Sequence, residues 1–273
     1  MLSLDLLYGA LKSWPEFHAV NDTIRGGKSS SLLTVSSDSN LATFSGLLDI
    51  TALGGAGFAS QATPFETTRL SLPSSTYSGL SLSLSLPILD SLDTYHDGDE
   101  EEKLESKPSN PPTKFVLILK NTKPPTRPDG RRESVVSYEF EFDVQDLLKR
   151  IGGGENYSEE EKKRTLLEVE AKWKDFKATY RGRPKPDAPE LDPSDIYELS
   201  FMCRSNFGSQ AGPFSLDIVS LSAVRQDSIV LQRRGGIIGF FQRIWTNLSN
   251  WFFDLRSWLT GRRRRESGSV RLE

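Results

Sequence analysis

The sequence predicts an all-β protein folded as a two-layer sandwich or jelly roll, and three observations lead to this prediction. Several short segments have the apolar pattern of strands, and clusters of Gly, Pro and Ser separate them. Strand-like segments do not alternate with helix-like ones, as they would in a parallel, doubly wound sheet. The length of 273 residues is one that a single β-domain can fill.

Six segments are predicted strands, each identified by its pattern of apolar residues. In residues 79–86 Gly79 is followed by an uninterrupted alternation of Leu and Ser, so a period of two predicts a half-buried strand with leucines on one face and serines on the other. Residues 115–119 are a continuous apolar run, typical of burial on both faces. The six are residues 41–50 (with a break at Gly46), 79–86, 115–119, 135–144, 196–203 and 214–221.

The alternation in residues 135–144 also predicts which of its side chains face the core. Aromatic and branched side chains are expected to point inward and acidic ones outward. The inward set is Tyr138, Phe140, Phe142 and Val144, and the outward set is Glu139, Glu141 and Asp143.

The remaining segments divide the chain around this body. An acidic, proline-containing stretch has too little apolar surface to offset the cost of ordering, so it is predicted to be a flexible insertion. A segment rich in Glu and Lys is predicted to be a short surface helix. The predicted organisation is an N-terminal short helix or arm at 1–13, a sandwich at 14–226 with the acidic insertion at 90–112, a polar loop at 122–134 and the surface helix at 157–172, and a C-terminal amphipathic helix with a basic tail at 227–273.

The chemistry available to the chain is limited. Cys203 is the only cysteine, which excludes a disulfide within the chain, and a lone cysteine in a strand is typically a small buried hydrophobe. The two histidines, His18 and His96, have no partners at metal-ligand spacing, and no G-x-S-x-G elbow is present. We therefore expect no metal, no cofactor and no enzymatic activity. The N-terminus has no basic region typical of a secretory signal, and it does not look like a mitochondrial presequence.

Two stretches are not explained by strand periodicity. The first, Asn-Asp-Thr-Ile-Arg-Gly-Gly-Lys-Ser at 21–29, is followed by Gly-Gly-Ala-Gly-Phe at 54–58. Its glycines suit turns with positive φ or an anion-binding nest, and turns that close a sandwich are the favoured interpretation. The second runs from Trp173 through Phe176 and the Arg-Gly pair at 181–182 to the Gly-Pro-Phe-Ser-Leu-Asp-Ile strand at 212–218.

Together these stretches resemble the CIA30 family, the complex I intermediate-associated protein 30 domain, over roughly residues 14–225. The resemblance implies a galactose-binding-domain-like jelly roll without catalytic activity. It also implies a role in assembling mitochondrial respiratory complex I by binding incompletely built membrane-arm intermediates. The residues that match the family pattern, as structural or binding positions, are Asn21, Asp22, Gly26, Gly27, Ser29, Gly54, Gly55, Gly57, Phe58, Trp173, Phe176, Arg181 and Gly182.

The C-terminal segment lies outside this resemblance and carries its own signal. Apolar residues recur there at helical spacing, and residues 233–265 hold eight Arg and one Asp, a net charge of +7 in a chain whose total is −3. An amphipathic helix lying in a membrane interface is favoured over a helix packed on protein and over a spanning helix. The predicted membrane-contact residues are Ile237, Phe241, Trp245, Leu248, Trp251, Phe252, Leu255, Trp258, Arg262, Arg263, Arg264 and Arg265.

The sequence therefore predicts a chaperone-like assembly factor for complex I, bound at the mitochondrial inner membrane. Its expected partners are complex I subunits, other assembly factors and an anionic membrane surface, and no nucleic acid is expected. One alternative is a carbohydrate- or small-ligand-binding module, for which Trp14 and Trp173 are the candidate platforms. Another is a membrane-associated adaptor outside mitochondria, on a cytoplasmic or endomembrane surface.

Overall fold

The computed structural model describes residues 3–85, 110–128, 132–152 and 166–226. Leu4–Gln226 is one compact unit. The C-terminal helix and all its predicted membrane contacts lie outside the described residues, as do residues 90–109 of the acidic insertion, 129–131 of the polar loop and 157–165 of the predicted surface helix.

Thirteen strands and one α-helix make up the described part of the chain. The strands are β1 (Leu4–Gly9), β2 (His18–Ala19), β3 (Ser30–Val35), β4 (Ala42–Leu48), β5 (Phe58–Pro64), β6 (Tyr77–Ser85), β7 (Lys114–Lys120), β8 (Ser137–Asp143), β9 (Leu166–Lys172), β10 (Lys177–Tyr180), β11 (Arg183–Pro184), β12 (Glu198–Arg204) and β13 (Gly212–Arg225). The helix α1 (Val144–Gly152) follows β8 directly, and two short 3₁₀ turns occupy Asp22–Arg25 and Trp173–Asp175.

The strands form two antiparallel sheets. The first has the order β3-β4-β13-β6-β9, with β1 paired to β13, and the second has the order β11-β10-β8-β7-β12-β5-β2. Strands that follow one another in the chain, such as β4, β5 and β6, belong alternately to the two sheets. This crossing between layers gives a galactose-binding-domain-like jelly roll, so the predicted fold class is confirmed.

An aromatic cluster fills the space between the sheets. Phe44 of the first sheet is buried against Phe214, with ring centroids 5.0 Å apart, and against Phe115 of the second sheet at 6.3 Å. Tilted and edge-on contacts of this kind add to the free energy gained by burying apolar surface. The leucines at 80, 82 and 84 of β6 complete the cluster, so the alternation in β6 correctly identified its core face.

Of the short helix or arm predicted at 1–13, the helix is wrong, because Leu4–Gly9 forms strand β1. It pairs with β13 from Leu4 opposite Val224 to Gly9 opposite Ser220. β13 has fourteen residues, and β4 pairs only with its first half, from Gly212 to Ile218. The second half therefore has unpaired N–H and C=O groups along that edge, and β1 satisfies them.

The prediction of a surface helix at 157–172 is wrong in its described part, where Leu166–Lys172 is strand β9. Leu167, Val169 and Ala171 are buried in the core, while Glu168 and Glu170 point to the other face. That alternation has a period of two, and pairing with β6 outweighs the helical preference of Glu and Lys.

Three smaller expectations also fail, one about where a strand is interrupted and two about which side chains are exposed. β4 continues through Gly46, where an added Cβ would lie 2.0 Å from the carbonyl oxygen of Ser30, so the glycine permits the close approach of β3. The serines of β6 were expected on an exposed face, but Ser81 and Ser83 are buried and donate to Glu168. Glu139 was expected outside and is also buried.

Hydrogen-bond donors account for the burial of Glu139. Arg204 of β12 donates to Glu139 at 2.5 Å and to Glu141 at 2.8 Å, and the Thr179 hydroxyl donates to Glu139 at 2.6 Å. A carboxylate can be buried when such donors replace its hydration shell.

None of the described helices is long and apolar enough to cross a membrane.

Candidate functional site

Three loops meet at one end of the sandwich, and we call residues 21–29, 49–58 and 205–210 the loop junction. Its centre is Asp22, which has no exposed surface. The carboxylate accepts hydrogen bonds from the Ser29 N–H at 3.0 Å, the Ser29 hydroxyl at 2.6 Å and the Phe58 N–H at 3.0 Å. Asp22 therefore ties the first loop to the second through the oxygen that accepts from Phe58, while its other oxygen accepts a bond from within the first loop.

Glycines surround this carboxylate because larger residues do not fit. A Cβ on Gly27 would lie 2.2 Å from the carboxyl carbon of Asp22, and one on Gly57 would lie 2.2 Å from the carbonyl oxygen of Asp49. Gly26 ends the 3₁₀ turn in the left-handed conformation, with φ of 85°. The close approach of backbone to side chain thus explains why glycine stands at these positions.

Asn21 extends the same connections toward the sheets. Its side-chain oxygen accepts hydrogen bonds from the Ser31 hydroxyl at 2.7 Å and from the Ser60 N–H at 3.0 Å. The neighbouring residues Asn21 and Asp22 therefore connect the start of β3 with the start of β5.

Ser205 brings in the third loop, and its position was not anticipated from the sequence. Its hydroxyl donates to the carbonyl of Gly55 at 2.8 Å and accepts from the N–H of Gly57 at 2.9 Å, while its own N–H donates to the carbonyl of Gly57 at 2.9 Å. Gly54 and Gly55 both have positive φ in this turn. A single serine at the end of a strand has no sequence signal that distinguishes it from the many other serines of this chain.

The loop junction presents two exposed apolar side chains. Phe207 is 93% exposed and Ile24 is 58% exposed. Phe207 and its neighbour Asn206 both have left-handed backbone conformations, with φ of 58° and 47°. Non-glycine residues hold this conformation at a cost in free energy, and such sites concentrate where function requires a particular presentation. The aromatic ring of Phe207 is therefore held in solvent by a backbone conformation that is unfavourable for these two residues.

The second group of family-pattern residues lies in the segments between β9 and β11. The half-buried Trp173 donates its indole N–H to the carbonyl of Tyr77 at 2.7 Å and packs on Phe176 at 6.2 Å. Arg181 and Gly182 form the turn of the β10–β11 hairpin with φ of 53° and 72°. Trp14 is also half-buried, and it donates to the carbonyl of Asn40 at 3.0 Å. Both tryptophans proposed as sugar platforms thus have structural partners.

A cleft of about 700 Å³, which shares Ile24 and Arg25 with the loop junction, is lined mainly by arginines, and we call it the arginine cleft. Its lining residues come from the 3₁₀ turn after β2, the segment before β8 and the β10–β11 hairpin. They are Ile24, Arg25, Arg127, Arg132, Ser134, Tyr180, Arg181 and Arg183. Of these only Arg181 belongs to the family pattern; the other arginines are scattered along the chain, and only folding brings them together.

The groups capable of covalent or metal chemistry do not converge in the described part of the chain. Cys203 is fully buried, and burial raises the pKa of its thiol to about 12, so it stays protonated; its predicted burial is confirmed. His18 is exposed beside Glu16. Among the described residues no cluster of His, Cys, Asp and Glu has the arrangement of a metal site.

Comparison with known proteins adds to this description of a jelly roll with a tightly bonded loop junction. The family model of Complex I intermediate-associated protein 30 (CIA30) matches residues 7–85 and 137–218. The matched residues include all three loops of the loop junction, and they also include Trp173. A curated protein of Schizosaccharomyces pombe, the uncharacterized protein C9E9.15, is 34% identical over 224 residues, covering 80% of this chain and 83% of its own. The chain belongs to the CIA30 family.

Among solved structures the likeness is weaker. A family 11 carbohydrate-binding module of Clostridium thermocellum aligns with a TM-score of 0.44 at 8% identity, covering 82% of this chain and 96% of its own. The same kind of module in complex with a β-1,3-1,4-mixed-linked tetrasaccharide gives a TM-score of 0.45 at 9% identity, covering 81% and 95%. A carbohydrate-binding module specific for non-crystalline cellulose gives a TM-score of 0.29 at 10% identity, covering 81% and 90%.

Proposed function

We propose that the protein is a non-enzymatic assembly factor that binds protein intermediates of respiratory complex I, with the loop junction as its binding surface. Membership of the CIA30 family supports a role related to complex I assembly in general. The single observation that carries the proposed surface is the exposure of Phe207, which is 93% exposed on a loop bonded to the family's glycines.

The loop junction is suited to binding because its geometry is fixed before a partner arrives. Asp22, Asn21 and Ser205 together connect its three loops by hydrogen bonds of 2.6–3.0 Å. A pre-ordered loop loses little conformational entropy on association. Exposed aromatic side chains on such loops are typical energetic centres of protein interfaces.

The polar groups of the loop junction are engaged in structure, which supports a binding role over a catalytic one. Both oxygens of Asp22 accept bonds from the protein itself, and the Ser205 hydroxyl is used as both donor and acceptor. A general base or a nucleophile needs a lone pair directed at a substrate. In this proposal the partner is recognised by shape and apolar contact at Phe207 and Ile24.

The test is recovery of complex I subunits with the tagged, full-length protein from cells in which it replaces the endogenous copy. Substitution Phe207→Ser combined with Ile24→Ser is expected to reduce recovered membrane-arm subunits at least tenfold, since the loss of two interface anchors costs about 2 kcal/mol or more. The yield and thermal unfolding of the variant are expected to match the wild type, because both side chains are exposed.

Leu11→Ser is the matched control. Leu11 is 97% exposed, and it lies in the Gly9–Lys12 turn, where Asn40 donates to the carbonyls of Ala10 and Lys12. β4 runs from the turn that contains Asn40 to the loop junction, so Leu11 lies at the opposite end of the sandwich. Equal recovery of subunits with the Phe207 variant, or an equal loss with Leu11→Ser, would contradict the proposed surface.

The proposal extends to location. Membership of the CIA30 family associates the protein with mitochondrial complex I assembly in general terms. We propose that the C-terminal segment keeps it beside the inner membrane through contacts with anionic lipid. The support is the sequence pattern alone: tryptophans on an apolar stripe and a run of four arginines at 262–265.

A further inference from the structure

The arginine cleft brings together side chains from both edges of the seven-stranded sheet. Arg25 follows β2 at one edge, while Tyr180 and Arg183 belong to the β10–β11 hairpin at the other. Six strand spacings separate these edges, roughly 29 Å along a flat sheet. Both edges nevertheless line one cavity of about 700 Å³, together with the segment before β8.

Among the described residues, the charges around the cleft are only partly balanced. Five arginines line it, and none of its described lining residues is a carboxylate. Within the described residues the one ion pair made by these arginines joins Arg132 to Glu198 at 3.8 Å, and Glu198 already accepts a shorter bond from Lys120 at 2.6 Å. Arg127 and Arg183 have no ion pair in this part of the chain.

Two further arginines are held in place by aromatic rings. The guanidinium of Arg181 lies 5.4 Å from the centre of the Tyr180 ring, and that of Arg25 lies 5.8 Å from the centre of the Phe58 ring. Arg181 also donates to the hydroxyl of Ser134 at 3.3 Å. These contacts orient the side chains without neutralising them, so their charges remain available to a ligand.

Positive charges gathered in one cleft repel each other, and a ligand that carries several negative charges relieves this repulsion. The choice of arginine matters because its planar fork binds the oxygens of phosphate in pairs. A cavity of this volume falls in the range of small-molecule sites rather than of flat protein interfaces. Ile24 and Tyr180 add an apolar wall for the organic part of such a molecule.

We propose that the arginine cleft is a binding site for a phosphorylated ligand with at least two negative charges. This inference does not depend on the proposed function: the two sites share Ile24, but the arginine variants that test the cleft leave both Ile24 and Phe207 unchanged. The same chemistry occurs in soluble phosphate esters and in lipid headgroups, and the experiment distinguishes these two sources.

The test uses the full-length protein and calorimetric titration with inorganic pyrophosphate at fixed ionic strength. We expect saturable binding to one site, which weakens as salt rises because the cleft is open to solvent. The double variant Arg127→Gln and Arg183→Gln is expected to bind at least about tenfold more weakly, since it removes two charge-assisted contacts. Its unfolding temperature is expected to remain unchanged, because both side chains are exposed.

The matched control is Lys149→Gln with Arg150→Gln, which removes the same charge from helix α1. This variant is expected to bind pyrophosphate within twofold of the wild type. Absence of saturable binding to the wild type, or an equal loss in the control, overturns the proposal. Tighter binding of a Glu-rich peptide than of pyrophosphate also overturns it, because the site then recognises an acidic protein segment.

Vesicles separate the two sources of phosphate. The wild type and both double variants are floated with vesicles of phosphatidylcholine containing phosphatidate, and the C-terminal arginines are present in all three. Weaker flotation of the cleft variant than of the control supports a lipid headgroup as ligand. Equal flotation, together with the loss of pyrophosphate binding, supports a soluble phosphate ester.

Discussion

Asp22 and Ser29 bond to each other twice, through the backbone N–H of Ser29 at 3.0 Å and through its hydroxyl at 2.6 Å. The serine hydroxyl also accepts from the N–H of Asp49 at 3.1 Å, which brings the second loop against the first. Both side chains are fully buried. Two residues of the family pattern therefore act as a clamp that shapes the loop junction, and its exposed residues depend on them for position.

Substitution Asp22→Asn tests this clamp. The amide keeps the size of the side chain but places an N–H₂ group where the protein offers donors, so at least one buried donor loses its acceptor. We expect unfolding in urea to show a loss of about 2 kcal/mol. Asp38→Asn, at an exposed aspartate of the β3–β4 turn, is expected to change stability by less than about 0.5 kcal/mol. Equal stability of the two variants would contradict the structural role of Asp22.

The buried pair of Arg204 and Glu139 gives a second prediction. Substitution Arg204→Met leaves the buried Glu139 carboxylate with only the Thr179 hydroxyl among its side-chain donors, and we expect a loss of about 3 kcal/mol. Substitution Glu139→Gln in the same protein removes the unpaired charge and is expected to restore part of the stability. A double-mutant cycle in urea measures this coupling, and additive losses would show that the pair is not coupled.

Cys203 provides a pH-dependent prediction. Burial raises the pKa of its thiol from 9.0 to about 12 in the folded state. The folded protein therefore holds the proton more tightly than the unfolded chain, and this contribution to stability is complete below pH 9 and lost as pH rises toward 12. We expect a thiol reagent to leave the native protein unmodified at pH 8 and to react fully in urea. Rapid labelling of the native protein would mean that β12 opens readily.

The C-terminal segment gives a prediction that rests on its sequence pattern. Substitutions Phe241→Glu and Trp251→Glu place charges on the predicted apolar stripe, and inserting each into lipid then becomes unfavourable. We expect flotation with anionic vesicles to fall at least tenfold, while Asn247→Glu and Asn250→Glu on the polar side reduce it much less. Equal losses in the two pairs would show that charge alone governs binding.

The sequence contains the information for the core of this fold because the signal there is local. The alternation of Leu and Ser in β6 and the apolar run of β7 depend only on neighbouring residues, and both strands are where the pattern predicts them. β1 and β9 were missed for a different reason. Each is a strand because a particular partner, β13 or β6, has unpaired backbone groups beside it, and that partner is distant in sequence.

The residues of the candidate sites also differ in whether a local sequence pattern or a contact distant in sequence identifies them. Asn21 and Asp22 stand out in the sequence because they belong to a family pattern with fixed spacing. Ser205 and Phe207 carry no such pattern. The importance of Ser205 follows from its hydrogen bonds to Gly55 and Gly57 across about 150 residues, and that of Phe207 follows from its exposure on the same loop. The arginine cleft is a further case, since its charges come from three segments that are far apart in the sequence.

Asp5 supplies the last prediction, because it holds β1 against β13 by charge as well as by backbone pairing. Its carboxylate accepts hydrogen bonds from Arg225 at 3.1 Å and from the Tyr77 hydroxyl at 2.7 Å, and these two contacts lower the pKa of Asp5 below its ordinary value of 3.8. A lowered pKa stabilises the fold above pH 3.8, and the effect disappears as pH falls through the folded-state value.

Substitution Asp5→Asn is therefore expected to speed hydrogen exchange of the β1 amides at pH 7, while the amides of β12 keep their protection. Because the aspartate and the asparagine are both uncharged at low pH, the free energies of unfolding of variant and wild type are expected to converge below pH 3.8. Urea unfolding between pH 2.5 and 7 measures the convergence. A difference that stays constant over this range would mean that the carboxylate charge has no part in holding β1 in the sheet.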